Sequence, residues 1–117
     1  MLNSVVLVGR LTDNPQMMTT ESGNAVTSVV VAVQRTWKNI DGIYDTDFVK
    51  CVLWNQMASN TVEYCKKGDV IGIKGRIQIS DYEAEDGTKK TKTEVVAEKL
   101  TFLSTKGSKT KKETKKT

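Results

Sequence analysis

Only one segment of this chain, residues 56–67, repeats its apolar positions at helical spacing. Every other apolar segment runs at or near a period of two, the alternation of a strand. Within the exception, Ala58, Thr61, Val62 and Cys65 share one face, Asn55 stands where an N-cap belongs, and Gly68 supplies a stop. Lys66 and Lys67 fall in its last turn, where positive charge complements the helix dipole. A chain of 117 residues has room for one small core. The architecture must therefore be mostly β, with a single helix set between strands.

The strands follow from composition and punctuation. Residues 2–11 carry Leu2, Val6 and Val8 on one parity and Val5, Leu7 and Leu11 on the other. Both faces are thus expected to be covered, one of them by a second copy of the chain. Thr12-Asp13-Asn14-Pro15 and Ser22-Gly23-Asn24 are turn chemistry bracketing a short edge strand within residues 16–20. Residues 25–37 form a long strand, because Val29, Val30, Val31 and Val33 are stiff at χ1 and suit a pleated surface. After the helix, residues 70–80 alternate again. Ile71, Ile73, Ile77 and Ile79 are expected on the core side and Lys74, Arg76 and Gln78 on the other, with Gly75 at a curl of the sheet. Asp86-Gly87 marks the tip of a long hairpin whose returning arm carries Lys89, Lys90 and Lys92. Residues 93–103 close the sheet and offer Val95, Val96, Ala97, Leu100, Phe102 and Leu103 to the core.

The third long strand, residues 44–55, carries the chemistry. In Asp47-Phe48-Val49-Lys50-Cys51-Val52-Leu53-Trp54, the residues Val49, Cys51 and Leu53 fall on a core face and Phe48, Lys50, Val52 and Trp54 on the other. Two aromatics flanking a lysine on a wet face suit a platform for unpaired bases, since rings stack on bases and a cation meets phosphate. A strand buried on both faces, by sheet packing or by a partner subunit, produces the same pattern, and the strand alone leaves both readings open. Trp37, between Arg35 and Lys38 and just before the exposed turn Asn39-Ile40-Asp41-Gly42, is a further contact candidate, as is Tyr82.

Charge narrows the binding mode. The net +4 is concentrated in residues 104–117, which hold six lysines and one acid and leave 12 basic against 13 acidic residues in 1–103. The folded part therefore has no general positive field, and any nucleic acid must be held by placed cations and by stacking. Arg10, Arg35, Lys38, Lys50, Arg76, Lys89, Lys90 and Lys92 are the candidate phosphate contacts. The absence of histidine removes the commonest general base and the commonest nitrogen ligand, and Cys51 and Cys65 form no ligand cluster. No catalytic residue, metal or cofactor is expected. No apolar run approaches about 18 residues and the N-terminus does not resemble a signal peptide, so a cytoplasmic protein without a membrane partner is expected.

Five strands with one helix between the third and fourth is the layout of the OB-fold, a small Greek-key barrel whose strand faces and loops hold oligonucleotides. The expected organisation is an OB-fold domain over residues 1–104 and a basic, disordered tail over 105–117.

Several blocks together carry a family resemblance: Asn3-Ser4-Val5-Val6-Leu7-Val8-Gly9-Arg10-Leu11-Thr12-Asp13-Asn14-Pro15, the block from Asp47 to Trp54 above, Lys66-Lys67-Gly68, Gly75-Arg76-Ile77 and Thr93-Glu94-Val95-Val96-Ala97. Over about residues 1–104 the chain resembles the bacterial and bacteriophage single-stranded DNA-binding proteins. The resemblance implies an OB-fold subunit, usually in a homotetramer, that coats single-stranded DNA without sequence preference during replication, recombination and repair, associates with the nucleoid, and performs no chemistry. It implies base stacking on Trp37, Phe48, Trp54 and Tyr82. Phe48 and Tyr82 stand where other members often have tryptophan, so weaker stacking is expected there. Cellular members usually end in an acidic, hydrophobic tip that recruits replication and repair enzymes. The present chain ends Lys115-Lys116-Thr117 instead, so recruitment by that route is not expected.

Three other readings remain at this point. An OB-fold adaptor of the replication machinery would use the same exposed aromatics to dock a protein. A nuclease would need clustered carboxylates, for which Asp41, Asp45 and Asp47 are the available set. The lysine-rich tail is either a solubilising segment or a source of extra phosphate contacts.

Overall fold

A computed structural model describes residues 1–105 of the chain; the lysine-rich stretch from residue 106 onward, and with it nearly all of the expected tail, lies outside the described residues. The elements are β1 (Val5–Leu11), β2 (Met18–Thr19), β3 (Ala25–Lys38), β4 (Tyr44–Trp54), α1 (Asn55–Tyr64), β5 (Val70–Glu83) and β6 (Lys89–Ser104). The sheet runs β1-β5-β6-β4-β3-β2, and a second pairing of β1 with β3 closes the five long strands into a barrel. All pairings are antiparallel except β4 with β6, which meet in parallel at Cys51–Val95 and Val52–Val96. The helix sits between the third and fourth long strands, the order expected of an OB-fold.

Inward-facing residues fill the barrel. Leu11, Val29, Val31, Cys51, Leu53, Ile71, Ile73, Val95 and Ala97 form one buried cluster, with Ala58 from the helix and Cys65 just after it. Gly9 and Gly75 mark the tight places. A Cβ at Gly9 would overlap the Ala32 carbonyl oxygen, and one at Gly75 the Val96 carbonyl oxygen, so neither position accepts a side chain without backbone movement.

Five expectations change. The first strand starts at Val5, not at Leu2, and in the single chain its outward residues Val6 and Val8 are exposed, which leaves open the face expected to meet a second copy. Ile77 and Ile79 share the parity of Ile71 and Ile73 but are exposed, because β1 pairs with β5 no further than Val5–Gly75 and the strand then runs on past the barrel. Phe102 and Leu103 are also exposed, next to a register shift between Val70 and Ile71. Asn55 does not cap the helix. Trp54 occupies the N-cap without a side-chain hydrogen bond, and Asn55 takes a left-handed φ of 57°, a conformation asparagine tolerates better than most residues. The helix stops at Tyr64, with Cys65 as C-cap, so Lys66 and Lys67 lie beyond its last turn. Their backbone N–H groups instead donate to Asp69 Oδ2 and Asn14 Oδ1, both at 2.8 Å.

Candidate functional site

The strand register assembles one outward wall from four strands. Directly paired residues point the same way. Phe48 lies opposite Ala32, Lys50 opposite Val30, Val52 opposite Ser28 on β3 and Val96 on β6, and Val96 in turn opposite Arg76 on β5. Gln78 lies opposite Glu94, Ser80 opposite Lys92, and Tyr82 opposite Lys90. Phe48, Lys50, Trp54, Glu94, Lys92, Lys90, Arg76 and Tyr82 thus share a single face.

The aromatics are open to solvent in the single chain. Trp37 is 70% exposed, Phe48 67%, Tyr82 45% and Trp54 39%, against 8% for Val52, which the two flanking strands cover. Phe48 lies opposite the small Ala32, which offers little to lean over its ring, and Trp54, opposite the larger Val26, is the less exposed of the two. Phe48 and Trp54 lie on the barrel wall itself. Tyr82 is six residues along β5 from Arg76, on the order of 20 Å of strand, out on the hairpin that leaves the barrel. Trp37 stands on the other hairpin, past an irregularity between Gln34 and Lys38. Phe48 and Trp54 share the wall, six residues and so on the order of 20 Å apart along β4, while Trp37 and Tyr82 stand on separate arms.

The candidate cations divide by what already holds them. Arg35 forks onto Asp47, donating from Nε at 3.1 Å and Nη2 at 2.9 Å, with Asp45 3.8 Å away. That hydrogen bond is the main reason Asp47 is held below the ordinary carboxylate value and Arg35 above its own. Arg10 donates from Nη1 to the Gly68 carbonyl at 2.9 Å. Lys38 Nζ lies 5.7 Å from the centre of the Tyr44 ring, within cation–π range. Lys50 and Lys92 both approach Glu94 Oε2, at 3.2 and 3.9 Å. Arg76 donates to the neutral Gln78 at 3.1 Å. Lys89 and Lys90 form no ion pair among the described residues.

Glu94 was not among the residues singled out from sequence. Its signal was available: it has the opposite parity to Val95 and so faces outward beside the lysines. Two of the three carboxylates considered for a metal are otherwise engaged, Asp45 and Asp47 by Arg35 and Asp45 also by Asn39 Nδ2 at 3.1 Å. Among the described residues no group of three or more His, Cys, Asp or Glu is placed to hold a metal ion. Burial pushes the Cys51 thiol up to about 11, which keeps it protonated and unreactive near neutral pH. Among the described residues no helix is long and apolar enough to cross a membrane. The wall can stack and can pair charge.

Comparison with known proteins bears on what such a wall receives. The model of the Single-strand binding protein family matches residues 2–103. The Single-stranded DNA-binding protein of Oceanobacillus iheyensis is 47% identical over 108 residues, covering 92% of this chain and 67% of that protein. Single-stranded DNA-binding protein B of Bacillus subtilis is 46% identical over 103 residues, covering 88% of this chain and 91% of its own. Single-stranded DNA-binding protein 3 of Listeria innocua is 44% identical over 106 residues, covering 91% and 66%. The present chain spans about two thirds of the first and third of these relatives and nearly all of the second.

Proposed function

Because this chain belongs to the single-strand binding protein family, we propose that it coats and protects single-stranded DNA, without sequence preference, during replication, recombination and repair. It binds and releases the strand and catalyses nothing. The observation that carries the reading is the pair of exposed rings, Phe48 and Trp54, on the outward wall of a closed barrel with Lys50 between them. Stacking is tolerant of sequence because every base has a π-face.

The geometry supports the following roles. Phe48 and Trp54 stack bases on the wall, and Trp37 and Tyr82 stack them on the arms. At about 1–3 kcal/mol per stacked base, four rings supply roughly 4–12 kcal/mol per subunit before the strand is ordered. Arg76, Lys89 and Lys90 are the phosphate contacts that need break no ion pair. Arg10, Arg35, Lys38, Lys50 and Lys92 contribute only as far as a phosphate displaces their present partners. The chain works as a homotetramer in the bacterial cytoplasm, at the nucleoid. The assembly is supported by the exposed Val6 and Val8 on β1, an apolar pair suited to a second copy.

Titration with a long oligo-dT, following the fluorescence of Trp37 and Trp54 at low and high salt, tests the reading. Strong quenching that persists at high salt is expected, since stacking survives conditions that screen phosphate contacts. No quenching at either salt would overturn it and leave the wall to a protein partner.

A further inference from the structure

The wall proposed to receive an anionic polymer carries a nearly buried carboxylate at its centre. The Glu94 side chain is only 9% exposed, and its Oε2 lies 3.2 Å from Lys50 Nζ and 3.9 Å from Lys92 Nζ. Its cross-strand neighbour Gln78 is neutral and accepts from Arg76. Both cations nearest the centre are therefore directed inward at Glu94. A barrel that needed only affinity for phosphate would gain by replacing this acid with a neutral residue.

We propose that Glu94 is a specificity-determining residue that excludes phosphate from the centre of the wall and so forces the strand to lie with its bases inward. The inference rests on the single-strand binding reading and sharpens it. Two costs face a phosphate at the centre. To take Lys50 and Lys92, which are themselves about half exposed, it must leave the nearly buried Glu94 carboxylate without a partner, which is the costly side of these ion pairs. Short of that, it sits beside a like charge in a partly desolvated place, where screening is weak. An uncharged base meets neither cost. It stacks on Phe48 or Trp54, which lie on either side of Lys50 along β4, while the Lys50–Glu94–Lys92 cluster stays intact. Phosphates are left to Arg76, held only by an amide, and to Lys89 and Lys90, which form no ion pair among the described residues. The ligand selected is a polymer that brings bases, and a plain polyanion is rejected.

The test uses the full chain with two probes of equal length and charge, an oligo-dT and an abasic deoxyribose-phosphate oligomer, each bound across a range of salt. Glu94→Gln keeps the shape and removes the charge. It is expected to gain about tenfold on the abasic oligomer, the equivalent of 1.4 kcal/mol, and less on oligo-dT, so that the preference for bases narrows. Its salt slope should steepen by about 0.7 for each lysine released to a phosphate. In the native background Lys50→Gln should flatten the slope by less than half of that 0.7, because Glu94 holds the lysine; in the Glu94→Gln background it should flatten it by the full amount. This cycle also reads the proposal if Glu94→Gln alone is less stable. An unchanged base preference with an unchanged slope, or a full loss of slope from Lys50→Gln in the native chain, overturns the role of Glu94 while oligo-dT binding stands. Failure of the native chain to bind oligo-dT would instead overturn the functional reading beneath it.

Discussion

Two hairpin arms leave the barrel, each with an aromatic side chain and several charges, and they use those charges differently. On the β3–β4 arm, Arg35 forks onto Asp47, Lys38 covers Tyr44, and Asn39 ties the turn. The Asn39 carboxamide oxygen accepts from the backbone N–H groups of Asp41 and Ile43, at 2.8 and 3.0 Å, while its nitrogen donates to Asp45. On the β5–β6 arm, Glu83 faces Lys89 and Tyr82 faces Lys90, yet no ion pair forms among the described residues until Lys92 meets Glu94 at the root. Only the tip is tied, where Asp86 accepts from the Thr88 N–H at 3.0 Å and from its hydroxyl at 2.6 Å. The first arm is braced by its own charges and presents Trp37 from a fixed ribbon. The second leaves Lys89 and Lys90 without an ion pair among the described residues.

The roots of the arms differ as well, and this gives the largest expected effect. The second arm is set off by Gly75, where β1 stops pairing and the β5–β6 register shifts. Because a Cβ there meets the Val96 carbonyl, Gly75→Ala should destabilise the fold by about 3 kcal/mol, the upper end of an overpacked site, seen as a lowered urea midpoint. A change below about 0.5 kcal/mol would mean that the root of this arm yields freely. Next in size is stacking. Trp37→Ala, which removes a large ring from the braced arm, should weaken oligo-dT binding by about 2–3 kcal/mol, and Tyr82→Ala by about 1 kcal/mol. Equal losses would erase the distinction between a fixed and a free ring. Smaller still is the salt term. Replacing Lys89 and Lys90 together by glutamine should flatten the salt slope by about 1.4, and Arg35→Gln by less than 0.7. A full share from Arg35 would show that its fork opens readily to phosphate.

How far the sequence discloses this depends on whether the information is local. Strand order and helix position are readable because a change of period is written in the segment itself. That Phe48 and Trp54 share the face opposite Cys51 and Leu53 is readable from parity, but that this face is open in the single chain is not, because a strand covered on both faces has the same pattern. Parity assigns a face but not how far the barrel extends along a strand, which is why Ile77 and Ile79 look like core and are not. Their exposure is decided by where β1 ends, a fact of another strand. The Arg35–Asp47 fork and the Glu94 cluster share that property, since each needs the register between strands before acid and base can be matched. Asn55 fails differently: asparagine before a helix serves equally as a cap or as a left-handed residue, and the sharp exit from β4 selects the second.

The smallest prediction isolates the brace itself. Asp47 has a folded value below the ordinary 3.8, chiefly because of its hydrogen bond to Arg35. A depressed carboxyl contributes stability that is complete above its unfolded value and is lost as pH falls through the folded one. Arg35 remains charged throughout, so the only change at the fork in that window is protonation of its acids. The β3–β4 arm should therefore stay braced at neutral pH and loosen only below about pH 4, a window set by the unfolded value. The change should be read as a fall in the anisotropy of Trp37 emission, measured with Trp54 replaced by phenylalanine to leave one reporter. Because the pair is exposed on both sides, the effect is modest and shrinks with added salt. Asp47→Asn should abolish the transition and hold the arm loose at every pH, while leaving the β5–β6 arm, which has no such fork, unaffected. An anisotropy that falls at the same pH in Asp47→Asn would assign the transition elsewhere and remove the brace from the comparison.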